Sequence, residues 1–311
     1  MTQQGDGSAN SAARTARSDG RRAICPPSHK SLRPTGPADT GESADAAAGR
    51  IAPGELAAAW TSSYGTSLKN MTPTSLPPLI GLAHGSRDPR AARTIADVMR
   101  AVTVLRPGLR TAAAFLDLSE PDLPTAVRAL QEDSPVTEAI VLPLLFTEAF
   151  HARIDAPTAV EQAQEATGVT LRLGGILGMG EDVLLALQDS ASRAHISSHE
   201  AILLLAVGSS RSAANDAVHE LAERWSNRRI GPVWAGFATT GEPQASAVLE
   251  RATSQRRRIG VVPLFLAPGL LLDATAKAAM AIDAEVAEPL GTALAELVLR
   301  RYDEALAAVH A

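Results

Sequence analysis

The sequence has few residues of the kinds that define several protein classes. Its 311 residues include a single cysteine, Cys25, which excludes an intrachain disulfide framework and any cysteine-based zinc or iron–sulfur site within one chain. Its apolar runs are short, and the run Ala201–Val207 is far below the ~20 residues that span a bilayer. The N-terminus lacks the apolar stretch of a secretory signal peptide. We therefore expect a cytoplasmic protein without a membrane partner.

The sequence also has no excess of positive charge. The net charge is -5, and acidic and basic residues are interspersed, so the chain offers no broad cationic surface to phosphate backbones. No GxxxxGK[ST] phosphate loop is present. We therefore expect no nucleic-acid partner, no ATP and no NAD. What is present, 45% hydrophobic and 20% charged residues, is ordinary for a globular protein with one or two full cores.

Composition divides the chain near Leu76. Residues 1–76 are rich in Gly, Ser, Ala, Pro and Thr, which predicts a disordered N-terminal extension with at most a weak helix at Pro53–Ala59. From Leu79 onward, short apolar runs alternate with Ala-rich stretches, a pattern typical of an α/β fold with a mainly parallel sheet. The predicted strands are Leu79–Ala83, Arg110–Leu116, Glu138–Leu145 and Thr170–Gly174, with helices near Arg90–Leu105, Pro124–Gln131 and Ala156–Glu165.

The second half of the chain repeats the motifs of the first half in the same order. The segment AHGSR at Ala83–Arg87 matches AVGSS at Ala206–Ser210, and FLDLSEP at Phe115–Pro121 matches FATTGEP at Phe237–Pro243. This predicts two similar domains, at residues 77–190 and 191–311, each with a four-stranded sheet flanked by helices. The predicted strands of the second domain are Ala201–Ala206, Val233–Phe237, Gly260–Phe265 and Ala284–Ala287.

Residues that occur in both copies are candidates for a structural role in the fold. Gly85 and Gly208 suit a tight turn after a strand, because glycine permits positive φ. Ser86 and Ser209 follow them and are expected to cap the next helix. The Glu-Pro pair at the end of the second motif is likewise assigned to turn geometry.

Residues present in only one copy are candidates for a catalytic or metal-binding role. Three residues of the first copy that could bind a metal are missing from the second copy. In the predicted topology, all three lie at or just beyond the carboxyl ends of parallel strands, so they converge on one crevice. Two imidazoles and a carboxylate suit a first-row divalent cation. Taken singly, each residue is as well explained as a half-buried histidine or a helix cap. The three changes are His84 to Val207, Asp117 to Thr239 and His151 to Leu271.

Three segments together resemble one family. They are LIGLAHGSRDP at Leu79–Pro89, FLDLSEP from Phe115 and VLPLLFTEAFHARIDAP at Val141–Pro157. They are similar to the motifs of the class II chelatases that act on sirohydrochlorin, in the long, internally duplicated form. The resemblance implies a lyase that inserts a divalent metal into a tetrapyrrole without ATP.

The resemblance also implies roles for individual residues. His84 and His151 would bind the metal and assist deprotonation of the macrocycle, and Asp117 stands where similar enzymes commonly have Glu. Arg87 and Arg153 are the candidates for holding the substrate's carboxylates. Fe2+, for sirohaem, and Co2+, for cobalamin, both suit these ligands. The chain would act as a monomer or a homodimer.

Two other functions are compatible with the same residues. A non-catalytic metal or tetrapyrrole binding protein would use the same histidines without turnover. A phosphoryl-transfer enzyme would use His84 as its nucleophile, but Ala83 stands where the histidine phosphatases have Arg.

Overall fold

The computed structural model describes residues 76–147 and 154–309. The predicted N-terminal extension, with its weak helix at Pro53–Ala59, lies outside the described residues apart from Leu76. Within the described part of the chain, every helix is too short or too polar to span a bilayer.

Strands and helices alternate through both halves, as an α/β fold requires. The first half contains β1 (Leu79–Ala83), α1 (Pro89–Leu105), β2 (Thr111–Phe115), α2 (Leu123–Asp133), β3 (Glu138–Pro143), α3 (Ala156–Thr167), β4 (Thr170–Leu173) and α4 (Glu181–Arg193). The second half contains β5 (Ala201–Ala206), α5 (Ser212–Ser226), β6 (Val233–Phe237), α6 (Ala245–Ser254), β7 (Ile259–Pro263), α7 (Leu270–Met280), a 3-10 turn (Gly291–Leu294) and α8 (Ala295–Val309).

The first sheet is parallel and has the strand order β2-β1-β3-β4. Its central strand β1 is buried along its whole length, which explains why its sequence is a continuous apolar run rather than an alternating one. Because β1 lies between β2 and β3, the loops that follow these three strands emerge side by side at one edge. The predicted α/β fold with mainly parallel sheets is confirmed.

The second sheet is parallel as well, but it has three strands in the order β6-β5-β7 rather than the predicted four. The fourth strand predicted at Ala284–Ala287 is reduced to one bridge, in which the Val261 amide donates to the Glu285 carbonyl at 2.8 Å and the Ala287 amide to the Val261 carbonyl at 2.8 Å. Pairing ends there because the Glu288 carbonyl accepts from the Ser190 hydroxyl instead and Pro289 has no amide hydrogen.

The last helix of each half packs against the sheet of the other half. Helix α8 contacts β3 and α1, and the fully buried Tyr302 donates its hydroxyl to the Pro77 carbonyl, just before β1, at 2.7 Å. Helix α4 contacts β7, and Ile196 beyond its end lies so close to Gly260 that a Cβ there would approach it to 2.6 Å. Buried residues of both halves therefore form one continuous core.

The outer face of each sheet has a core of its own. In the first half, α2 and α3 cover this face, and in the second half α6 and α7 do. These helices begin directly after the loops that follow the strands, so packing on both faces holds the carboxyl edge of each sheet in place.

Candidate metal centre

His84 and Asp117 follow neighbouring strands at the carboxyl edge of the first sheet. His84 comes directly after β1, and Asp117 lies two residues beyond the end of β2. The Asp117 amide donates a hydrogen bond to the His84 carbonyl at 3.0 Å, which joins the two loops close to the ends of their strands. The structure thus places together two of the three residues that the sequence comparison singled out.

The two side chains differ in their surroundings. His84 is half-buried and its Nδ1 atom is shielded from solvent, whereas Asp117 is exposed. One oxygen of the Asp117 carboxylate accepts from the Leu118 amide at 2.8 Å, and Leu118 has a positive φ of 59°. This bond orients the carboxylate within its own loop.

Gly85 is the residue that allows the two loops to approach so closely. Its φ is 97°, and a Cβ at this position would lie 1.7 Å from the Asp117 carbonyl oxygen. Any side chain would therefore collide with the Asp117 backbone in addition to straining its own. The predicted turn role of Gly85 is confirmed.

Ser86 does not cap the helix as predicted. Its hydroxyl accepts from the Asp88 amide at 3.1 Å, and Asp88 is the N-cap of α1, accepting from the Arg90 amide at 2.9 Å. The Ser86 backbone is held by Ser119, whose hydroxyl accepts from the Ser86 amide at 3.0 Å and donates to the Ser86 carbonyl at 2.8 Å. Asp88 is the N-cap because it directly precedes Pro89, which lies in the first turn of the helix.

Asp88 and Arg90 join this loop to the second half of the protein. The Arg90 Nε donates to both Asp88 oxygens, at 3.1 and 3.0 Å, and this hydrogen bonding holds the pKa of the nearly buried Asp88 carboxyl below its ordinary value of 3.8. The same guanidinium also donates to Asp273 in the first turn of α7. Sequence reasoning missed this bridge, because Arg90 and Asp273 are far apart in the sequence and nothing near either residue indicates the contact.

The other proposed residues differ in what the structure describes. His151 and Arg153 lie outside the described residues, between Thr147 and Ile154. Arg87 is exposed, and within the described part of the chain no ion pair involves it. Among those residues, no three His, Cys, Asp or Glu side chains lie close enough to hold a metal ion. Of the three proposed ligands, the structure therefore describes one imidazole, that of His84, and one carboxylate, that of Asp117.

The structure has a cavity away from this edge. It has a volume of about 720 Å³ and lies between the middle of α1, the end of α4 and the 3-10 turn. Its charged lining residues are Asp97, Asp189, Arg193 and Glu296, and the Asp189 carboxylate is paired with Arg193. None of the proposed site residues lines it, so it adds nothing to the candidate centre.

The second copy preserves three backbone features of this edge without the ligands. The Thr239 amide donates to the Val207 carbonyl at 2.9 Å, and the Thr239 hydroxyl donates to that carbonyl at 2.7 Å. Gly208 has a φ of 95°, and a Cβ there would lie 1.9 Å from the Thr240 carbonyl oxygen. Both Glu-Pro peptide bonds, at Pro121 and Pro243, are cis. The hydrogen bond between the loops, the glycine at positive φ and the cis peptide bond are therefore common to both copies, and the side chains at the proposed ligand positions differ.

Comparison with known protein families identifies the family of this chain. The CbiX family model matches the chain twice, over residues 78–194 and 201–305. The chain belongs to the CbiX family. The duplicated form inferred from the motifs and the resemblance to class II chelatases acting on sirohydrochlorin are thereby confirmed.

Solved structures with this CbiX-family fold include proteins that hold metal. SirB from Bacillus subtilis with Fe3+ superposes with a TM-score of 0.64 at 20% identity, covering 75% of this chain and 97% of that one. The sirohydrochlorin chelatase SirB from Bacillus subtilis subspecies spizizenii in complex with cobalt has a TM-score of 0.60 at 21% identity, covering 74% and 94%. CbiX, the terminal enzyme for biosynthesis of siroheme in denitrifying bacteria, has a TM-score of 0.53 at 18% identity, covering 74% and 98%. No curated protein matched the chain.

Proposed function

We propose that this chain is a sirohydrochlorin chelatase that inserts Fe2+ or Co2+ into the tetrapyrrole without ATP. The observation that carries the proposal is the asymmetry of the two copies: His84 and Asp117 stand on hydrogen-bonded loops at one sheet edge, and the matching loops of the second copy carry Val207 and Thr239. Membership of the CbiX family and the metal-bound SirB structures support the same chemistry.

In this proposal the metal is a substrate. His84 and His151 present it to the ring, and Asp117 completes the set, directly or through water. Insertion replaces the hydrogens on two pyrrole nitrogens by the metal, so the site must accept both protons and pass them to solvent. Imidazole suits this task because its pKa lies near neutrality, and the exposed Asp117 carboxylate offers a route to water.

The substrate's peripheral carboxylates require cations, although the protein as a whole is acidic. Arg87, exposed three residues after His84, is the first candidate, and Arg153, two residues after His151, is the second. A guanidinium can bind a carboxylate through two parallel hydrogen bonds. We assign the metal-binding role to the domain at residues 77–190 and treat residues 191–311 as its degenerate copy.

The test is anaerobic insertion of Fe2+ and of Co2+ into sirohydrochlorin, followed by absorbance. We expect multiple turnovers by the wild type and a loss of at least about 100-fold in kcat for His84→Ala and His151→Ala. His199→Ala, which removes an exposed histidine before β5, is the matched control and should keep full activity.

Other outcomes would point to other functions. If product stops at one equivalent per protein, the chain is a binding protein for metal or tetrapyrrole and not an enzyme. The ratio of the two insertion rates identifies the preferred metal.

A further inference from the structure

The segment between β4 and α4 is rich in glycine, and the second half of the protein binds it at several points. Its sequence, GGILGMG at residues 174–180, gives the backbone unusual conformational freedom. Among the described residues, four arginines of the second half contact this loop and the first turn of α4. They are Arg301, which donates to the Ile176 and Leu177 carbonyls, Arg224, which donates to the Met179 carbonyl, Arg228, which pairs with Glu181, and Arg300, which pairs with Asp182.

Arg301 binds two successive carbonyls of this loop. Its Nε donates to the Ile176 carbonyl at 2.9 Å and its Nη2 to the Leu177 carbonyl at 3.0 Å. The remaining nitrogen, Nη1, is paired with Glu304 at 2.8 Å, and the side chain is only 24% exposed. A planar guanidinium can reach two carbonyls at once, whereas the ammonium group of lysine acts as a single point charge. Arg301 therefore fixes two adjacent peptide groups of a segment that is otherwise free to move.

The loop that Arg301 holds is bonded in turn to the end of β3. The Leu177 amide donates to the Leu145 carbonyl at 2.9 Å, and the Gly178 amide donates to the same carbonyl at 3.4 Å. Leu145 comes two residues after β3, so these bonds continue the pairing of β4 with β3 beyond the ends of both strands. The end of β3 is therefore fixed from the side of β4.

On its other side, β3 is bonded to the strand that precedes His84. The Leu144 amide donates to the Leu82 carbonyl at 2.8 Å, and Leu82 lies two residues before His84. Leu82 pairs with Pro143 in the sheet. The same register, continued by two residues, puts His84 level with Leu145. The end of β3 is therefore the neighbour of the His84 loop.

The matching loop of the second copy has the same contact between strands but a different support. The Leu290 amide donates to the Phe265 carbonyl at 2.9 Å, as the loop after β4 does to the end of β3. The Glu288 carbonyl accepts from the Ser190 hydroxyl of α4 at 2.8 Å, a neutral hydrogen bond. Hydrogen bonds from a charged donor are stronger than neutral ones. The guanidinium thus supports the loop of the copy that carries the proposed ligands.

We infer that Arg301 is a positioning residue for the proposed metal centre, which it supports from the second half of the protein. This inference rests on the proposed function. Arg301 holds the loop after β4, and this loop holds Leu145. Leu145 lies level with His84 and six residues before His151 in the sequence. Groups that hold metal ligands in place raise metal affinity. Without this guanidinium, the glycine-rich loop releases the end of β3, and the spacing of the ligands is no longer fixed.

The test compares two variants that each remove one guanidinium between α8 and the first half. Arg301→Met frees the loop after β4. Arg106→Met is the matched control, because it breaks the ion pair with Asp303 of α8 directly after α1, at the opposite edge of the first sheet. Both variants are measured for unfolding in urea, for amide hydrogen exchange, for the Kd of Co2+ by calorimetry, and for kcat and KM with sirohydrochlorin.

The two variants should differ in their effects on the site. We expect Arg301→Met to speed amide exchange at Leu177 and Gly178 about tenfold or more, because the loop opens locally. Its Kd for Co2+ should rise and its kcat should fall about tenfold or more, as when other groups that support metal ligands are lost. Its KM for sirohydrochlorin should stay within about threefold, since the change acts on metal positioning and not on ring binding. Arg106→Met should lower stability but keep all four values within about twofold.

Wild-type Co2+ affinity and kcat in a folded Arg301→Met variant would overturn the inference. Losses of the same size in Arg106→Met would do so as well, because they would assign Arg301 a role in stability alone. If Arg301→Met fails to fold, Arg301→Lys decides, since it keeps the charge and most of the stem but cannot reproduce the two parallel bonds. A Kd for Co2+ raised at least about threefold in that variant supports the inference, and an unchanged Kd refutes it.

Failure of the proposed function is distinguishable from failure of this inference. Co2+ binding by the wild type without turnover would refute the enzyme, and the comparison of Kd values would still decide the role of Arg301. Turnover by the wild type with equal Kd and kcat in Arg301→Met would refute the inference alone. No Co2+ binding by the wild type would overturn both.

Discussion

The Asp117 amide donates to the His84 carbonyl at 3.0 Å, and the Thr239 amide donates to the Val207 carbonyl at 2.9 Å. The two bonds join matching loops in the two copies, so this backbone contact is kept where the ligands are gone. Beyond it the loops differ, because positive φ falls at Leu118 in the first copy and at Gly241 in the second. Val207 and Thr239 nevertheless occupy the positions of His84 and Asp117, and their side chains can be exchanged.

Restoring the ligands should therefore restore a second metal site. We expect Val207→His/Thr239→Asp/Leu271→His to bind about two equivalents of Co2+ where the wild type binds about one, because two imidazoles and a carboxylate suit this ion. Calorimetric titration with Co2+ gives the stoichiometry. A value that stays at one would show that the second copy's backbone no longer supports coordination.

The two turn glycines offer a matched pair of substitutions. Gly85→Ala and Gly208→Ala should each lower the free energy of unfolding by at least about 2 kcal/mol, because each adds a Cβ at positive φ and within 2 Å of a carbonyl oxygen (1.7 and 1.9 Å). Urea denaturation measures this. Per folded molecule, chelatase activity should fall far more for Gly85→Ala, since only that loop carries His84. Equal losses of activity would contradict the assignment of the site to the first copy.

Tyr302 links the C-terminal helix to the first strand. Tyr302→Phe keeps the buried ring but removes the donor to the Pro77 carbonyl, so we expect a loss of about 1 kcal/mol in the free energy of unfolding. The urea midpoint reports the change, and the slope of the transition should stay constant because the buried surface is unchanged. Stability equal to that of the wild type would mean that water satisfies Pro77 equally well.

Acid should weaken the contact between Asp88 and Arg90. The pKa of Asp88 is lowered in the folded protein by hydrogen bonds from Arg90, so folding favours the charged carboxylate. This contribution is fully present above the ordinary pKa of 3.8 and is lost as the pH falls through the lowered value. Asp88→Asn keeps a good N-cap but removes the charge, so its stability should fall less than that of the wild type on acidification below about pH 4. Parallel pH profiles of thermal unfolding for the two proteins would refute this.

Local pattern in the sequence was sufficient for most of the elements. Leu79–Ala83, Ala201–Ala206 and Val233–Phe237 are strands with the predicted ends. Each is a largely buried strand with a continuous apolar sequence, and the turn motif shared by the two halves follows it. The duplication could be recognised from the sequence because glycine at positive φ and proline after glutamate form the same turns in both halves. The family followed from these same short motifs.

The tertiary structure alone decided how the two halves combine. Nothing local in residues 181–193 or 295–309 indicates that each of these helices covers the sheet of the other half. The strand predicted at residues 284–287 is limited to a single bridge at Val286, because the Glu288 carbonyl accepts from Ser190 and Pro289 has no amide hydrogen. Asp273 reaches Arg90 from a distant part of the chain. The sequence by itself determined most of the strands, the turns, the repeat and the family, because those depend on neighbouring residues. Only the folded chain decided the shared core, the ion pair between the copies and the contact of Arg301 with the loop after β4, because those depend on contacts between residues far apart in sequence.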